Sequence, residues 1–488
     1  MTDVTRAVRA TLERPETRPS PPQDASTRWP GAAARRSLFR AAGRIDAATP
    51  ASRDRAVDAL RALAILGVVL GHWLVTALVA DGNSLRAASP LRDMPWLAPV
   101  SWAFQTLAVF FLVGGHVATR GYASARARGE SYGRWLSARL SRLFRPVLAV
   151  LGLWTVTAGL LLLTGAEFGT VHTLVKLALS PMWFLLVFAA LTAATPLLTR
   201  LSPLWPLVVV LHVDLLRFGF GAPSWLGWLN LAAGWLVPFT LGAAWTRGEL
   251  GGVAWIRPTP DNGALCPARA GSGACSCKAE EGDRAEPWQP TTTRQMCVPG
   301  PATPAGSRRH PLNRRRAGWI LLTGGTAATA ALVAWAGYPA SMVGVPGAAV
   351  SNLNPPTLAA VTFGLAQCGL ALLPRDRLRR AMRRPVAWAA VALVNLSAMT
   401  IFLWHQTALM ATTAGSLLLG RLPGLHTRPD GLDWVAARIA WLPVFALVLA
   451  GCWAAFRSCE RGGARRRSKI VRAHCPDDRT RTAGARHV

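Results

Sequence analysis

Three ionisable side chains lie on one face of the first apolar stretch of this 488-residue sequence. Arg61 and His72 are eleven residues apart, which in an α-helix is about three turns and about 16 Å along the axis. Asp58 precedes Arg61 by three residues and joins the same face. An uncharged imidazole can act as a general base, and a guanidinium can bind an acidic group or a developing oxyanion. The structural alternative is an arginine that reaches the membrane interface and a histidine that bonds a neighbouring helix.

Further ionisable residues interrupt later apolar stretches. His405 lies near the end of one, and Asp214 and Arg217 form an i, i+3 pair in another. Charged groups inside a bilayer are costly and normally face a partner, a cavity or a transport pathway. Two interpretations stay open for Asp214 and Arg217, an ion pair between helices or part of a substrate pocket. A relay built from all these residues would instead suit a transporter or flippase.

The composition indicates a membrane protein. Hydrophobic residues make up 51% of the chain and charged residues 16%, whereas soluble domains carry about 25% charged residues. Apolar runs recur along the chain, each close to the ~20 residues that a bilayer core requires. They lie at about 57–79, 97–119, 146–164, 181–199, 203–218, 226–246, 318–337, 356–374, 387–411 and 434–456. The expected fold is therefore an all-α membrane protein, a polytopic bundle of about ten transmembrane helices.

Arginine is concentrated in alternate loops, and this predicts the orientation. The loops 120–145 and 375–386 are rich in arginine, as are 308–316 and the end of the chain, whereas 338–355 has no basic residue. Under the positive-inside rule the rich segments are cytoplasmic. Both termini are then cytoplasmic, which requires an even number of spans, and the protein is expected in the cell membrane. The net charge of +30 is explained in this way. Because no aromatic platforms are interleaved with these arginines, we expect no nucleic-acid partner.

Composition also divides the chain into segments. We expect a disordered basic cytoplasmic tail at 1–55, spans one to six at 56–246, a flexible cytoplasmic linker at 247–317, spans seven to ten at 318–456 and a basic cytoplasmic tail at 457–488. The linker contains four of the eight cysteines, namely Cys266, Cys275, Cys277 and Cys297. Their spacing does not match the paired short spacings of a structural zinc site. We therefore expect no metal site, and we also expect no cofactor.

Five short motifs resemble those of the acyltransferase-3 family of integral membrane acyltransferases. They occur in the order of that family and cover about 57–456 apart from the linker. The motifs are Asp58-x-x-Arg61-x10-His72, Phe110-Phe-Leu-Val-Gly114-Gly, Arg139-Leu-Ser-Arg142-Leu-Phe-Arg145-Pro, Trp183-Phe-Leu and Thr400-Ile-Phe402-Leu-Trp-His405. Two positions depart from the pattern, because Gly114 stands where the family often has Ser and Phe402 where it often has Tyr. A hydroxyl role at either position is therefore not expected.

The resemblance implies transfer of an acyl group, often acetyl, from cytoplasmic acyl-CoA to a hydroxyl of a sugar, an envelope glycan or a small molecule. His72 would be the general base, Arg61 would bind the donor or the carbonyl oxygen, and His405 would form a second polar wall unless it is structural. The CoA phosphates would be bound by Arg139, Arg142 and Arg145. The alternative is that these three arginines serve only to orient the protein in the membrane. The remaining candidates for substrate binding are Asp58, Trp183, Asp214 and Arg217. The expected partners are acyl-CoA, a carbohydrate or small-molecule acceptor and the lipid bilayer.

Overall fold

The structure is a computed structural model that describes residues 30–82, 84–250, 311–348 and 350–473, and it is mostly helical. Its helices are α1 (Pro30–Ala47), α2 (Arg55–Val75), α3 (Leu107–Ala127), α4 (Tyr132–Leu163), α5 (Phe168–Leu179), α6 (Met182–Ala193), α7 (Leu204–Asp214), α8 (Leu229–Arg247), α9 (Pro311–Trp335), α10 (Leu358–Leu372), α11 (Arg375–Ala381), α12 (Pro385–Leu396), α13 (Ala398–Ser416) and α14 (Leu432–Ala473). Shorter helical segments are Pro90–Asp93, Pro95–Leu97, Ala98–Ser101, Trp102–Phe104, Thr195–Leu198, Leu215–Gly219, Ser224–Trp228 and Leu417–Leu419. Two strands, β1 (Ala77–Asp81) and β2 (Ser84–Ala88), pair antiparallel. Most of the predicted linker and both chain ends lie outside the described residues.

Seven helical stretches within the described residues are long and apolar enough to cross a membrane. They are Arg55–Val75, Pro95–Ala127, Tyr132–Leu163, Phe168–Ala193, Ser224–Arg247, Arg314–Trp335 and Leu432–Arg457. Two helix pairs also qualify but are bent, α10 with α11 by 49° and α12 with α13 by 73°, so that counting each pair as one span gives nine. The chain is thus a multi-pass membrane protein. The fifth predicted run is helical as α7 and the π-turn Leu215–Gly219, but it is shorter than these spans.

The described structure differs from the sequence prediction beside the first and third runs. The first predicted span continues to residue 79, but α2 ends at Val75 and a β-hairpin follows, so the fold is not purely α-helical. The arginine-rich segment 120–145 was expected to be a loop, yet α3 extends to Ala127 and α4 begins at Tyr132. Arginine and alanine are good helix formers, which is why α4 starts well before its apolar part.

Helices also occupy parts of the predicted tails. α1 lies within the segment expected to be disordered, and its Ile45 packs against a buried cluster that includes Trp388 of α12. At the other end of the chain, α14 continues to Ala473, beyond the predicted end of the last span.

Charged side chains hold both ends of α2, the helix that carries Arg61 and His72. Asp54 caps the helix by accepting from its first amide groups, and its carboxylate pairs with Arg375 of α11. At the other end Arg438 of α14 is fully buried and donates to the carbonyl groups of Trp73 and Thr76. Carbonyl groups at a helix C-terminus lack intrahelical partners, so a cation placed there stabilises the end.

Glycines let α3 cross α8 at short range. A Cβ on Gly115 would lie 1.9 Å from the Phe239 carbonyl oxygen, and one on Gly242 would lie 2.0 Å from the Leu112 carbonyl oxygen. Small residues at a crossing permit such close approach of two membrane helices. The tight crossing fixes α3, which contributes Phe110 to the arginine cavity described below.

Candidate active site

Two cavities follow one another along α2, α3, α6 and α13. The histidine cavity has a volume of about 280 Å³ and has His72 in its wall. The arginine cavity has a volume of about 460 Å³ and has Arg61 in its wall. Because Arg61 and His72 are about three helical turns apart on α2, the two cavities lie at different depths along the helix bundle.

The wall of the histidine cavity combines aromatic rings with neutral polar groups. Its aromatic side chains are Phe104, Trp183, Phe184 and Phe402, and its polar side chains include Thr76, Ser101, Gln105, Ser180, Asn354 and Gln406. Among the described residues that line it, His72 is the one titratable side chain. The cavity thus offers ring faces and hydrogen-bonding groups around a single candidate base.

His72 contacts two consecutive residues of α13. The side-chain nitrogen of Gln406 is 3.0 Å from His72 Nδ1, and the ring centroid of His405 is 5.1 Å from that of His72. His405 is fully buried and does not line the cavity. Its Nδ1 lies 2.7 Å from the Phe402 carbonyl oxygen, so Nδ1 carries the proton and donates it to this bond. The His405 Nε2 is buried without a hydrogen-bond partner.

Guanidinium groups dominate the polar wall of the arginine cavity. They belong to Arg53, Arg61, Arg139 and Arg142, and no acidic side chain is among the described residues that line this cavity. Asp58 forms a two-point ion pair with Arg53, at 2.6 and 3.0 Å. Planar guanidinium groups match phosphate oxygens well, so this cavity suits a polyanionic ligand.

Local packing holds Arg139 at the cavity. Its guanidinium carbon is 4.8 Å from the ring centre of Trp135, a distance typical of a cation–π contact. The guanidinium also packs against Gly121 of α3, where a Cβ would lie 1.9 Å from Arg139 Nη2. Glycine at position 121 therefore leaves the space that this side chain occupies.

Four phenylalanine rings separate the two cavities. Phe110 and Phe188 line the arginine cavity, whereas Phe184 and Phe402 line the histidine cavity. The centroid of Phe184 is 5.1 Å from that of Phe110 and 5.1 Å from that of Phe402. Phe184 and Phe188 are one helical turn apart on α6, and their ring centroids are 6.3 Å apart.

Gly114, in the second of the five motifs, packs against one of these four phenylalanine rings. A Cβ on Gly114 would lie 2.4 Å from a ring carbon of Phe188. The aromatic ring thus fills the space that a serine side chain would need.

Asp214 and Arg217 lie away from both cavities. Asp214 is buried and accepts hydrogen bonds from the Asn230 amide at 2.9 Å, the Tyr338 hydroxyl at 3.0 Å and the Leu358 backbone N–H at 2.6 Å. Arg217 lies 3.8 Å from the same carboxylate. Burial and the charge of Asp214 raise the pKa of Tyr338 far above its ordinary value, so its hydroxyl keeps the proton that it donates. These contacts favour the structural interpretation of the pair.

The cavities bring together part of the residue set predicted from sequence. The predicted residues that line a cavity are Arg61, His72, Arg139, Arg142 and Trp183. Those that line neither are Asp58, Arg145, Asp214, Arg217 and His405. Sequence reasoning missed other polar residues of the cavity walls, among them Arg53 and Gln406. The sequence held a signal for each of these two. Arg53 is five residues before Asp58, and Gln406 directly follows His405.

Comparison with known proteins identifies one family. Residues 54–260 match the family model of an acyltransferase domain, which confirms the resemblance predicted from the motifs. The matched range includes α2 to α8 and ends before α13, the helix that carries His405 and Gln406. No curated protein and no solved structure matches the chain.

Proposed function

Residues 54–260 match the family model of an acyltransferase domain, and from this premise we propose that the chain is a membrane acyltransferase of the acyltransferase-3 family. It transfers an acyl group, in the simplest case acetyl, from cytoplasmic acyl-CoA to a hydroxyl of a sugar, an envelope glycan or a small molecule. His72 is the general base. The acceptor hydroxyl enters the histidine cavity, and the CoA phosphates occupy the arginine cavity.

The observation that carries this proposal is the pairing of two chemically different cavities along the same helices. One offers Arg61, Arg139 and Arg142 to an anion, and the other offers His72 to a neutral group. A donor with a phosphorylated head and an uncharged thioester end requires such a division. The extended pantetheine arm of CoA bridges the distance between them, and the thioester passes the phenylalanine partition by rotation of Phe110 or Phe184.

The reaction follows from the groups that meet in the histidine cavity. The acceptor oxygen attacks the thioester carbonyl carbon while His72 takes the hydroxyl proton. The tetrahedral intermediate then collapses, the carbon–sulfur bond breaks, and the imidazolium of His72 returns the proton to the leaving thiolate. The products are an ester and free CoA, and His72 is again neutral. Arg61, about 16 Å from His72 along α2, acts on the donor rather than on the intermediate.

A transfer assay tests the proposal directly. Membranes that contain the protein receive acetyl-CoA labelled in the acetyl group. Release of free CoA and transfer of label to an acceptor are measured, and the acylated product is identified by mass spectrometry. We expect His72→Ala to reduce both signals by about 10²- to 10⁴-fold, the usual contribution of a general base.

His212→Ala is the matched control, because His212 is an exposed histidine of α7 that lines neither cavity. It should transfer label at the wild-type rate. Transfer by His72→Ala at the wild-type rate would remove His72 from the base role. Movement of an acceptor across the membrane without release of CoA would instead identify a transporter or flippase.

A further inference from the structure

Gln406 is a buried amide that meets the candidate base and leaves half of its own hydrogen-bonding capacity unused. Its side chain lines the histidine cavity, and its Nε2 is 3.0 Å from His72 Nδ1. Its Oε1 is buried without a hydrogen-bond partner. A buried acceptor that makes no hydrogen bond is unfavourable, so such an atom requires an explanation.

The two orientations of this amide have opposite consequences for His72. A neutral imidazole carries one N–H and one lone pair. If the Gln406 amide nitrogen donates to Nδ1, the proton of His72 must lie on Nε2, and no lone pair remains to accept a proton from substrate. If the amide is turned by half a rotation, Oε1 takes the place of Nε2 and accepts a bond from Nδ1–H. Nε2 of His72 then keeps its lone pair.

The half-turned orientation gives Oε1 a donor and leaves the amide N–H groups as the unpaired side. The choice between the two orientations therefore rests on the lone pair that His72 Nε2 needs to act as a base. The neighbouring His405 does not form this bond. Its Nδ1–H is committed to the Phe402 carbonyl, and its Nε2 is buried without a hydrogen-bond partner. Within the described part of the chain, Gln406 is the one side chain that forms a hydrogen bond with the His72 ring.

We propose that Gln406 is a positioning residue whose side-chain oxygen accepts a hydrogen bond from His72 Nδ1–H and so keeps Nε2 available as the base. This inference rests on the proposed function and adds to it the atom that takes the proton. During transfer the acceptor O–H proton moves to Nε2, and both ring nitrogens then carry protons. The bond from Nδ1–H to Oε1 holds the ring orientation throughout, and Nε2 gives its proton to the CoA thiolate as the thioester breaks.

Two substitutions at position 406 test the inference. Gln406→Met keeps the length of the side chain but provides no oxygen to accept from Nδ1–H. Gln406→Glu keeps an acceptor oxygen at the same distance and removes the donor. We expect the methionine variant to lower the apparent kcat by about 10- to 100-fold, since loss of an orienting acceptor leaves a histidine in the wrong tautomer. The KM for acetyl-CoA should stay within about twofold, because the donor phosphates bind in the other cavity. The glutamate variant should keep at least about a third of the wild-type kcat.

The matched control is Thr407→Val, on the next residue of α13, whose hydroxyl bonds the Trp154 indole outside the cavity. It should leave kcat unchanged. Each variant is first compared with wild type by its thermal midpoint and its elution in detergent, so that misfolded protein is recognised. A methionine variant with wild-type kcat would overturn the inference, as would a folded glutamate variant as slow as the methionine variant. The proposed function fails separately, if wild-type protein transfers no label or if His72→Ala transfers it normally.

Discussion

Arg142 and Arg145 are one helical turn apart on α4, but they differ in what they face. Arg142 lines the arginine cavity, whereas Arg145 lies outside its lining. A role in membrane topology would make the two residues equivalent, and a role in donor binding would not. We predict that Arg142→Gln raises the KM for acetyl-CoA by about 3- to 10-fold, equivalent to about 1 kcal/mol for one charge-assisted phosphate contact near water. Arg145→Gln should change this KM by less than about twofold.

Initial rates over a range of acetyl-CoA concentrations measure both values. The difference between the variants should shrink as salt is added, because screening weakens an exposed phosphate contact. Equal KM values for both variants at low salt would show that Arg142 does not bind the donor more strongly than Arg145 does.

Spacing in the sequence locates some site residues and cannot locate others. Arg61 and His72 could be predicted because both lie on one helix, where a count of residues gives their separation. Gln406 could not be found in this way, since its contact joins residues 334 positions apart in the chain. A neutral amide in an apolar run also lacks the cost that makes a buried charge conspicuous. The reason for glycine at position 114 could not be predicted either, because its neighbour Phe188 is known only from the packing of α3 against α6.

At the scale of helices, hydropathy predicts where a chain is apolar but not where a helix begins or ends. α4 starts at Tyr132 although its apolar part begins near Pro146. Its first turns are rich in arginine, a residue with high helix propensity. The opposite error occurs after α2. Residues Ala77–Ala80 are as apolar as the helix before them, yet they form a strand because Ser84–Ala88 pairs with that segment.

The beginning of α2 depends on Asp54, and this dependence predicts an effect of pH on stability. Burial alone would raise the pKa of this carboxyl, but the hydrogen bond and charge of Arg375 and bonds to the helix amides lower it below its ordinary value of 3.8. The folded protein therefore binds this proton less readily than the unfolded chain. The stabilisation is present above about pH 4 and is lost as the pH falls through the ordinary value towards the lower folded pKa.

We predict that Asp54→Ala lowers the free energy of unfolding by about 1–2 kcal/mol at pH 7, since it removes both the cap and the ion pair. Thermal midpoints in detergent between pH 3 and 8 measure the difference from wild type, which should narrow below about pH 4. Asp54→Asn, which keeps a capping oxygen, should lose less than the alanine variant. A difference that stays constant down to pH 3 would show that the charge of Asp54 does not stabilise α2.

For the whole molecule, the orientation depends on whether α7 crosses the membrane. With its π-turn it rises at most about 24 Å, less than the ~30 Å of a bilayer core. Its two ends nevertheless contact opposite ends of the bundle. Arg247, at the end of α8, bonds the Thr199 carbonyl just before α7, whereas Asp214 at the other end bonds Tyr338 and the start of α10. If α7 crosses, the arginines near 247 and 314–316 share one side with the Arg-rich start of α4, as the positive-inside rule requires.

Cysteine labelling decides this topology. In a variant whose eight native cysteines are replaced, Ser202→Cys and Ser224→Cys place one thiol on each side of α7. We predict that a membrane-impermeant maleimide added to intact cells labels position 224 and reaches position 202 only after the membrane is opened. Crossing by α7 makes the number of spans even and places both termini in the cytoplasm. Labelling of both positions from the same side would make the number odd, separate the termini and place the segment before α9 on the outer side despite its arginines.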